Sequence, residues 1–189
     1  MEQLTGNEEF ILEGAYTGVT INDYWRWAYS DLLNNTYRGV MAEFLVFSSL
    51  YPTTIKEQVR SDWLPCDIIS PSGRRIEVKS AAYLQSWTDD DLPSKIQYDI
   101  APKCAWDGKV YASEAKRNCD LYIFCLYTAL TRDKPILDLD NWEFYVLAAS
   151  VLNEKAPTQK TISLSSLIKL DPTKTSYANL SKIIESIKV

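Results

Sequence analysis

The sequence predicts an α/β fold: a mixed β-sheet flanked by α-helices. Three observations carry this. Two segments near the N-terminus repeat apolar residues at helical spacing. The middle of the chain changes to short strand-like runs around a sharp turn. The C-terminal segment then returns to helical spacing.

Ile21 to Leu33 has helical character, with Asn22 as the expected N-cap. Its aromatic residues Tyr24, Trp25, Trp27 and Tyr29 are expected to pack on the body. A second helix is expected over Thr36 to Leu50, where Val40, Phe44, Phe47 and Tyr51 recur at spacings of three and four, and Pro52 marks its end. Trp63 to Ile69 reads as a strand. Ser70-Pro71-Ser72-Gly73 has the residues of a tight turn, and Arg74 to Ala82 is the returning strand of a hairpin. Thr88 to Pro93, with Asp89-Asp90-Asp91, reads as a loop, and Ile96 to Ile100 as a further strand. Asp120 to Tyr127 and Trp142 to Leu147 are apolar runs of strand length. Leu164 to Leu167 suits a short turn. Ser176 is the expected N-cap of a last helix, lined on one face by Leu180, Ile183, Ile184 and Ile187.

At 189 residues the chain is long enough for a sizeable core. It has no internal repeat and no Gly/Ser linker, so a single domain over 1–189 is expected. Within it lie an N-terminal helical extension (1–35), a central core (36–127) and C-terminal strand and helices (128–189). Hydrophobic residues are 46% and charged residues 24%, which fits neither a disordered tail nor a membrane protein. No apolar run reaches the roughly 18 residues of a membrane span, and the N-terminus lacks a secretory layout. Cys66, Cys104, Cys119 and Cys125 show no C-x-x-C spacing. They read as small core residues in a reducing compartment, so a cytoplasmic location is expected.

Histidine is absent, which excludes Ser-His-Asp and Cys-His catalysis and histidine metal sites. Any metal must be held by carboxylates, carbonyls or thiolates. The net charge of -5 argues against a generic nucleic-acid coat protein. The acid excess sits in the first fifty residues, and the remainder is close to neutral, which leaves room for a local basic groove.

The chemistry-bearing residues meet on the hairpin. Glu77 and Lys79 share one face of the returning strand, while Ile76 and Val78 point to the other. Asp67, on the first strand, can be brought near the same face. Two carboxylates give hard oxygen ligands for Mg²⁺, and a neighbouring ammonium can orient water or stabilise charge on a phosphate. The same three residues also read as a cross-strand ion pair plus a solvated acid.

Pro65-Cys66-Asp67, a nine-residue gap and Glu77-Val78-Lys79 together resemble the PD-(D/E)XK nuclease superfamily, the restriction-endonuclease-like fold. Glu43, within Arg38-Gly39-Val40-Met41-Ala42-Glu43-Phe44, resembles the helix glutamate upstream of that motif. Cys66, between the proline and the aspartate, departs from the pattern. The resemblance implies Asp67 and Glu77 as direct metal ligands, the Val78 carbonyl as a further ligand and Lys79 as the catalytic lysine. Glu43 would reach a metal directly or through water. It also implies a Mg²⁺-dependent endonuclease acting on DNA, with Mn²⁺ as substitute and a homodimer among its partners. The alternative is a non-cleaving DNA- or protein-binding module on the same fold. Gln97 stands where many members carry a glutamine or lysine, and is a candidate for water or phosphate.

Several expectations come from residue type alone. Arg74, Arg75, Lys95, Lys103, Lys109, Lys116 and Arg117 are candidate phosphate contacts, or else a solvated mixed surface. Trp87, Trp106 and Tyr111 either stack on bases or pack internally. Glu43 interrupts a stripe of Thr36, Val40, Phe47 and Leu50, so it needs a metal or a salt bridge to Arg38, Arg60 or Lys79. The run Asp89-Asp90-Asp91 is a loop or a loose cation site.

Overall fold

The computed structural model describes residues 3–54, 58–61, 64–88, 92–106 and 108–188. The elements follow in the order β1 (Glu9–Leu12), β2 (Ala15–Thr20), α1 (Ile21–Tyr29), α2 (Asn35–Leu50), β3 (Ile68–Ile69), β4 (Arg75–Ala82), β5 (Gln97–Asp99) and β6 (Leu121–Tyr127). They continue with β7 (Trp142–Ala148), α3 (Ala149–Lys155), β8 (Thr161–Ser163), α4 (Leu164–Ile168), β9 (Thr173–Thr175) and α5 (Tyr177–Ser186).

Five strands form the main sheet in the order β3-β4-β6-β7-β9. β4 and β6 run parallel, with Glu77 opposite Tyr122 and Lys79 opposite Phe124. The other neighbours are antiparallel, so the sheet is mixed. β5 and β8 form a separate antiparallel pair. Strand alternation divides the interior into two cores. Ile76, Val78, Ile123, Cys125, Phe144 and Val146 pack with α2 and α5 on one face. Ala81, Tyr122, Phe124, Tyr145 and Leu147 pack with β5, β8, α3 and α4 on the other. β6 is buried along its whole length because both faces are covered.

The hairpin forms at the expected turn. The Gly73 amide donates to the Ser70 carbonyl at 2.8 Å, and Gly73 sits at φ +85, where a side chain would be strained. The first strand is shorter than expected: only Ile68–Ile69 is strand, and Trp63 lies outside the described residues. Asp89, Asp90 and Asp91 lie outside them too.

α2 forms where helical spacing predicts it, but with its buried stripe rotated. Arg38, Ala42, Leu45, Val46 and Leu50 face the sheet, while Val40 and Phe44 are exposed. The cause is Arg38. It is buried, and its guanidinium donates to the Leu33 carbonyl at 2.7 Å, to Gln85 Oε1 at 2.8 Å, to Ser80 Oγ at 3.3 Å and to Asn35 Oδ1. A charged residue on the inner face disguises that face as polar. Burial lowers the Arg38 pKa to about 10, so the group still carries its charge.

α1 ends at Tyr29 rather than Leu33. Thr20, not Asn22, caps it through a reciprocal capping box with Asp23. None of its residues is buried, and Trp27 is 86% exposed; of the four aromatic residues expected to pack on the body, Tyr29 does so at the edge, its ring meeting Tyr37 of α2 at 5.2 Å. Ahead of it β1 and β2 pair through the two-residue turn Glu13-Gly14, both residues at positive φ. This hairpin, α3, β8 and β9 have no counterpart in the sequence expectations. Among the described residues no helix is long and apolar enough to cross a membrane.

Candidate active site

β4 builds the site. Its alternation puts Glu77 and Lys79 on the face away from α2, above Tyr122 and Phe124 of β6. Lys79 Nζ lies 2.6 Å from Glu77 Oε1, and both side chains are largely buried. Burial alone would lower the Lys79 ammonium. Glu77, its hydrogen bond, Asp67 and Asp99 more than reverse this, and Lys79 is held above its ordinary value.

Asp67 precedes β3. Its amide donates to the Ile76 carbonyl at 3.0 Å, extending the hairpin by one rung. Its Oδ2 accepts the Val78 amide at 2.7 Å, so a side chain replaces the next rung of the ladder. In an extended strand the carbonyl of a residue points to the same edge as its amide, so the Val78 carbonyl shares the edge that Asp67 occupies. Burial, then the Glu77 carboxylate, pushes the Asp67 carboxyl up to about 6. The Val78 amide pulls the other way, Glu43 adds to the rise, and Lys79 offsets part of it. A carboxylate destabilised by burial and by two further acids is one that a cation would stabilise.

Glu43 reaches Asp67 through its field but is itself held by Arg60, in a two-pronged contact of 2.5 Å and 2.9 Å. Of the three salt-bridge partners open to it in the sequence, Arg60 is the one used. Among the described residues no three Asp, Glu, Cys or His side chains form a ready-made metal cage. Asp67 and Glu77, with the Val78 carbonyl on the edge that Asp67 occupies, are the groups that could offer oxygens to an ion. That suits Mg²⁺, which keeps several waters and needs one or two protein carboxylates.

The remaining candidates divide. Lys103 joins the cluster, 3.4 Å from Glu77 Oε1 and 3.8 Å from Asp99. Asp99, at the end of β5, belongs to no motif in the sequence. Nothing in the sequence marks it, because its approach to Lys103 is set by the chain leaving β5 rather than by a helical spacing. Gln97 donates from Nε2 to Thr161 Oγ1 at 2.7 Å and serves the β5–β8 pair. Arg74 donates to the Ile184 and Ile187 carbonyls and ties off the end of α5. Arg75 is paired with Asp120 at 2.6 Å. Arg117 is buried and donates to the carbonyls of Ile100, Leu152 and Ala156, so it is not a surface phosphate contact. Lys95, Lys109 and Lys116 are exposed, as is Trp87. Cys66, Cys119 and Cys125 are buried free thiols, whereas Cys104 is exposed, contrary to its expected place in the core.

Neither the protein-family models nor the curated proteins give a match to this chain.

Proposed function

We propose that this chain is a Mg²⁺-dependent endonuclease that hydrolyses DNA phosphodiester bonds, on a restriction-endonuclease-like version of the mixed α/β fold. The observation that carries the reading is the grouping of Asp67, Glu77 and Lys79 around Val78 of β4, with the Asp67 carboxyl raised to about 6. Bound there, Mg²⁺ or Mn²⁺ supplies Lewis-acid polarisation of the phosphate and a more acidic water. Asp67 and Glu77 would hold the ion. The Val78 amide fixes the Asp67 carboxylate by binding Oδ2, which fits Oδ1 for the ligand role. Lys79, an ammonium 2.6 Å from Glu77, would stabilise charge developing on the phosphate. Lys103, more exposed than Lys79, faces the incoming phosphate. Glu43, neutralised by Arg60, tunes Asp67 from a distance.

One observation favours the alternative, a DNA- or protein-binding module that does not cut. Glu77 is already paired with Lys79 and Lys103, and Glu43 with Arg60, as in a structural ion network. A cleavage assay on labelled single-stranded and hairpin DNA separates the two. Cutting is expected with Mg²⁺ or Mn²⁺ and not in EDTA. Lys79→Met keeps the apolar stem and removes the charge. It is expected to slow single-turnover cleavage by ~10²-fold or more while Mg²⁺ binding by calorimetry is retained. Cleavage by Lys79→Met at the parent rate would return Glu77 and Lys79 to a structural pair.

A further inference from the structure

Between β5 and β6 the chain makes an irregular hairpin that stands beside the carboxylates. Lys103 and Lys116 exchange both backbone hydrogen bonds, at 3.0 Å and 3.2 Å, and Asn118 Nδ2 donates to both of their carbonyls. Further out Trp106 is bridged to Tyr111, with ring centroids 4.8 Å apart. A cavity of about 210 Å³ opens against this hairpin, and Trp106, Tyr111, Leu64 and Pro65 are among the residues that line it. Pro65 lies two residues before Asp67. Lys103, which also lines the cavity, lies 3.4 Å from Glu77.

We infer that this cavity is a nucleobase subsite, taking one unpaired base of a DNA strand whose adjoining phosphate lies at the Asp67–Glu77–Lys79 cluster. Flat aromatic walls bind the face of any base. The volume is below the roughly 300 Å³ at which small-molecule sites usually begin, and so suits a single ring system rather than a length of strand. Lys103 joins the cavity to the carboxylate cluster, which fits a base in the cavity and its charged phosphate beside the lysine. A base inside a duplex cannot offer its face to Trp106 and Tyr111, since its neighbours already cover it. The substrate class is therefore single-stranded DNA, or a duplex with an unpaired nucleotide beside the cut. This rests on the proposed DNA-cleaving function for the place of the phosphate, but base capture itself is independent of cutting.

The test is binding in EDTA of a short single strand, and of the same strand with abasic residues, to the parent and to Tyr111→Leu. Tyr111 is 65% exposed, so its replacement leaves the core untouched. The parent is expected to bind the natural strand roughly tenfold more tightly than the abasic one, and Tyr111→Leu to lose most of that ratio. Cys104 lines the cavity and is the exposed cysteine, so its alkylation by iodoacetamide should be slowed by the natural strand and not by the abasic one. Equal affinity for the two strands, with unprotected Cys104, overturns the subsite even if the parent cuts DNA with Mg²⁺. Base-dependent binding without any cutting supports the subsite and removes the proposed hydrolysis.

Discussion

Two regions of this protein carry large aromatic side chains and treat them in opposite ways. In the central strands β6 and β7, Tyr122, Phe124, Tyr127, Trp142, Phe144 and Tyr145 are all buried. In the N-terminal arm, residues 3–30, Phe10, Tyr16, Tyr24, Trp25, Trp27 and Tyr29 are all exposed. Composition does not separate them. Partners do. β6 is bracketed by β4 and β7 and covered by elements on both faces. The arm is stitched by local bonds: the Ile21 amide to Glu8, the Asn22 amide to Gly6, and the Gly18 amide to the Glu9 carboxylate. Such bonds shape a hairpin and a helix but bury little, because they bring no second layer over either one.

The sharpest way to press the difference is to remove one ring from each region. Phe144 is fully buried in the first core, opposite Cys125 and against Tyr177 of α5. Phe144→Ala deletes that ring from a site closed on all sides, and is expected to cost about 3–5 kcal/mol of unfolding free energy by urea titration. A cost below ~1 kcal/mol would mean that the sheet is not packed as described.

The same contrast explains what the sequence could tell. Apolar runs such as Leu121 to Tyr127, and the Ser70–Gly73 turn, announce themselves because every residue in them obeys one rule. α2 was legible as a helix but not in phase, since its buried stripe contains Arg38 and its flank contains Phe44. The short strands β8 and β9, three residues each, are held by neighbours distant in sequence and have no periodicity to read. In the site, Glu77 and Lys79 were legible from strand alternation and Asp67 from its spacing. The Glu43–Arg60 pair was one of three options, and Lys103 was one cation among many. Nothing in the chain marks that Arg74 serves the end of α5, 110 residues away.

Asp67 lies between the two regions in character: a charged group drawn into partial burial. Its folded pKa is about 6, raised from 3.8, so the folded state holds the proton more tightly than the unfolded state. The contribution to stability is fully present below about pH 4 and is lost as pH rises through about 6. An asparagine side chain in its place would keep an acceptor for the Val78 amide and carry no charge. Asp67→Asn is therefore expected to be more stable than the parent at pH ~7.5 by up to about 3 kcal/mol in EDTA, with the gap closing near pH ~4. Mg²⁺ at the higher pH should raise the melting temperature of the parent and not of the variant. A gap that is the same at both pH values would show that the Asp67 carboxylate is not destabilised by its neighbours.

The smallest effect belongs to the arm. Trp27 has the largest exposed aromatic surface in α1, and its ring has no partner among the described residues to lose. Trp27→Ala removes a ring from water rather than from a core, so the transfer and cavity costs that dominate at Phe144 do not arise. Alanine is also the better helix former, which offsets part of any local loss. The change in unfolding free energy is expected within ±0.5 kcal/mol or so, the usual range for surface substitutions. Urea titration at two protein concentrations checks this. A cost near that of Phe144→Ala would mean that the ring is covered in solution. A cost that also grew with protein concentration would identify the cover as another copy of the chain, because only an intermolecular contact is strengthened by mass action.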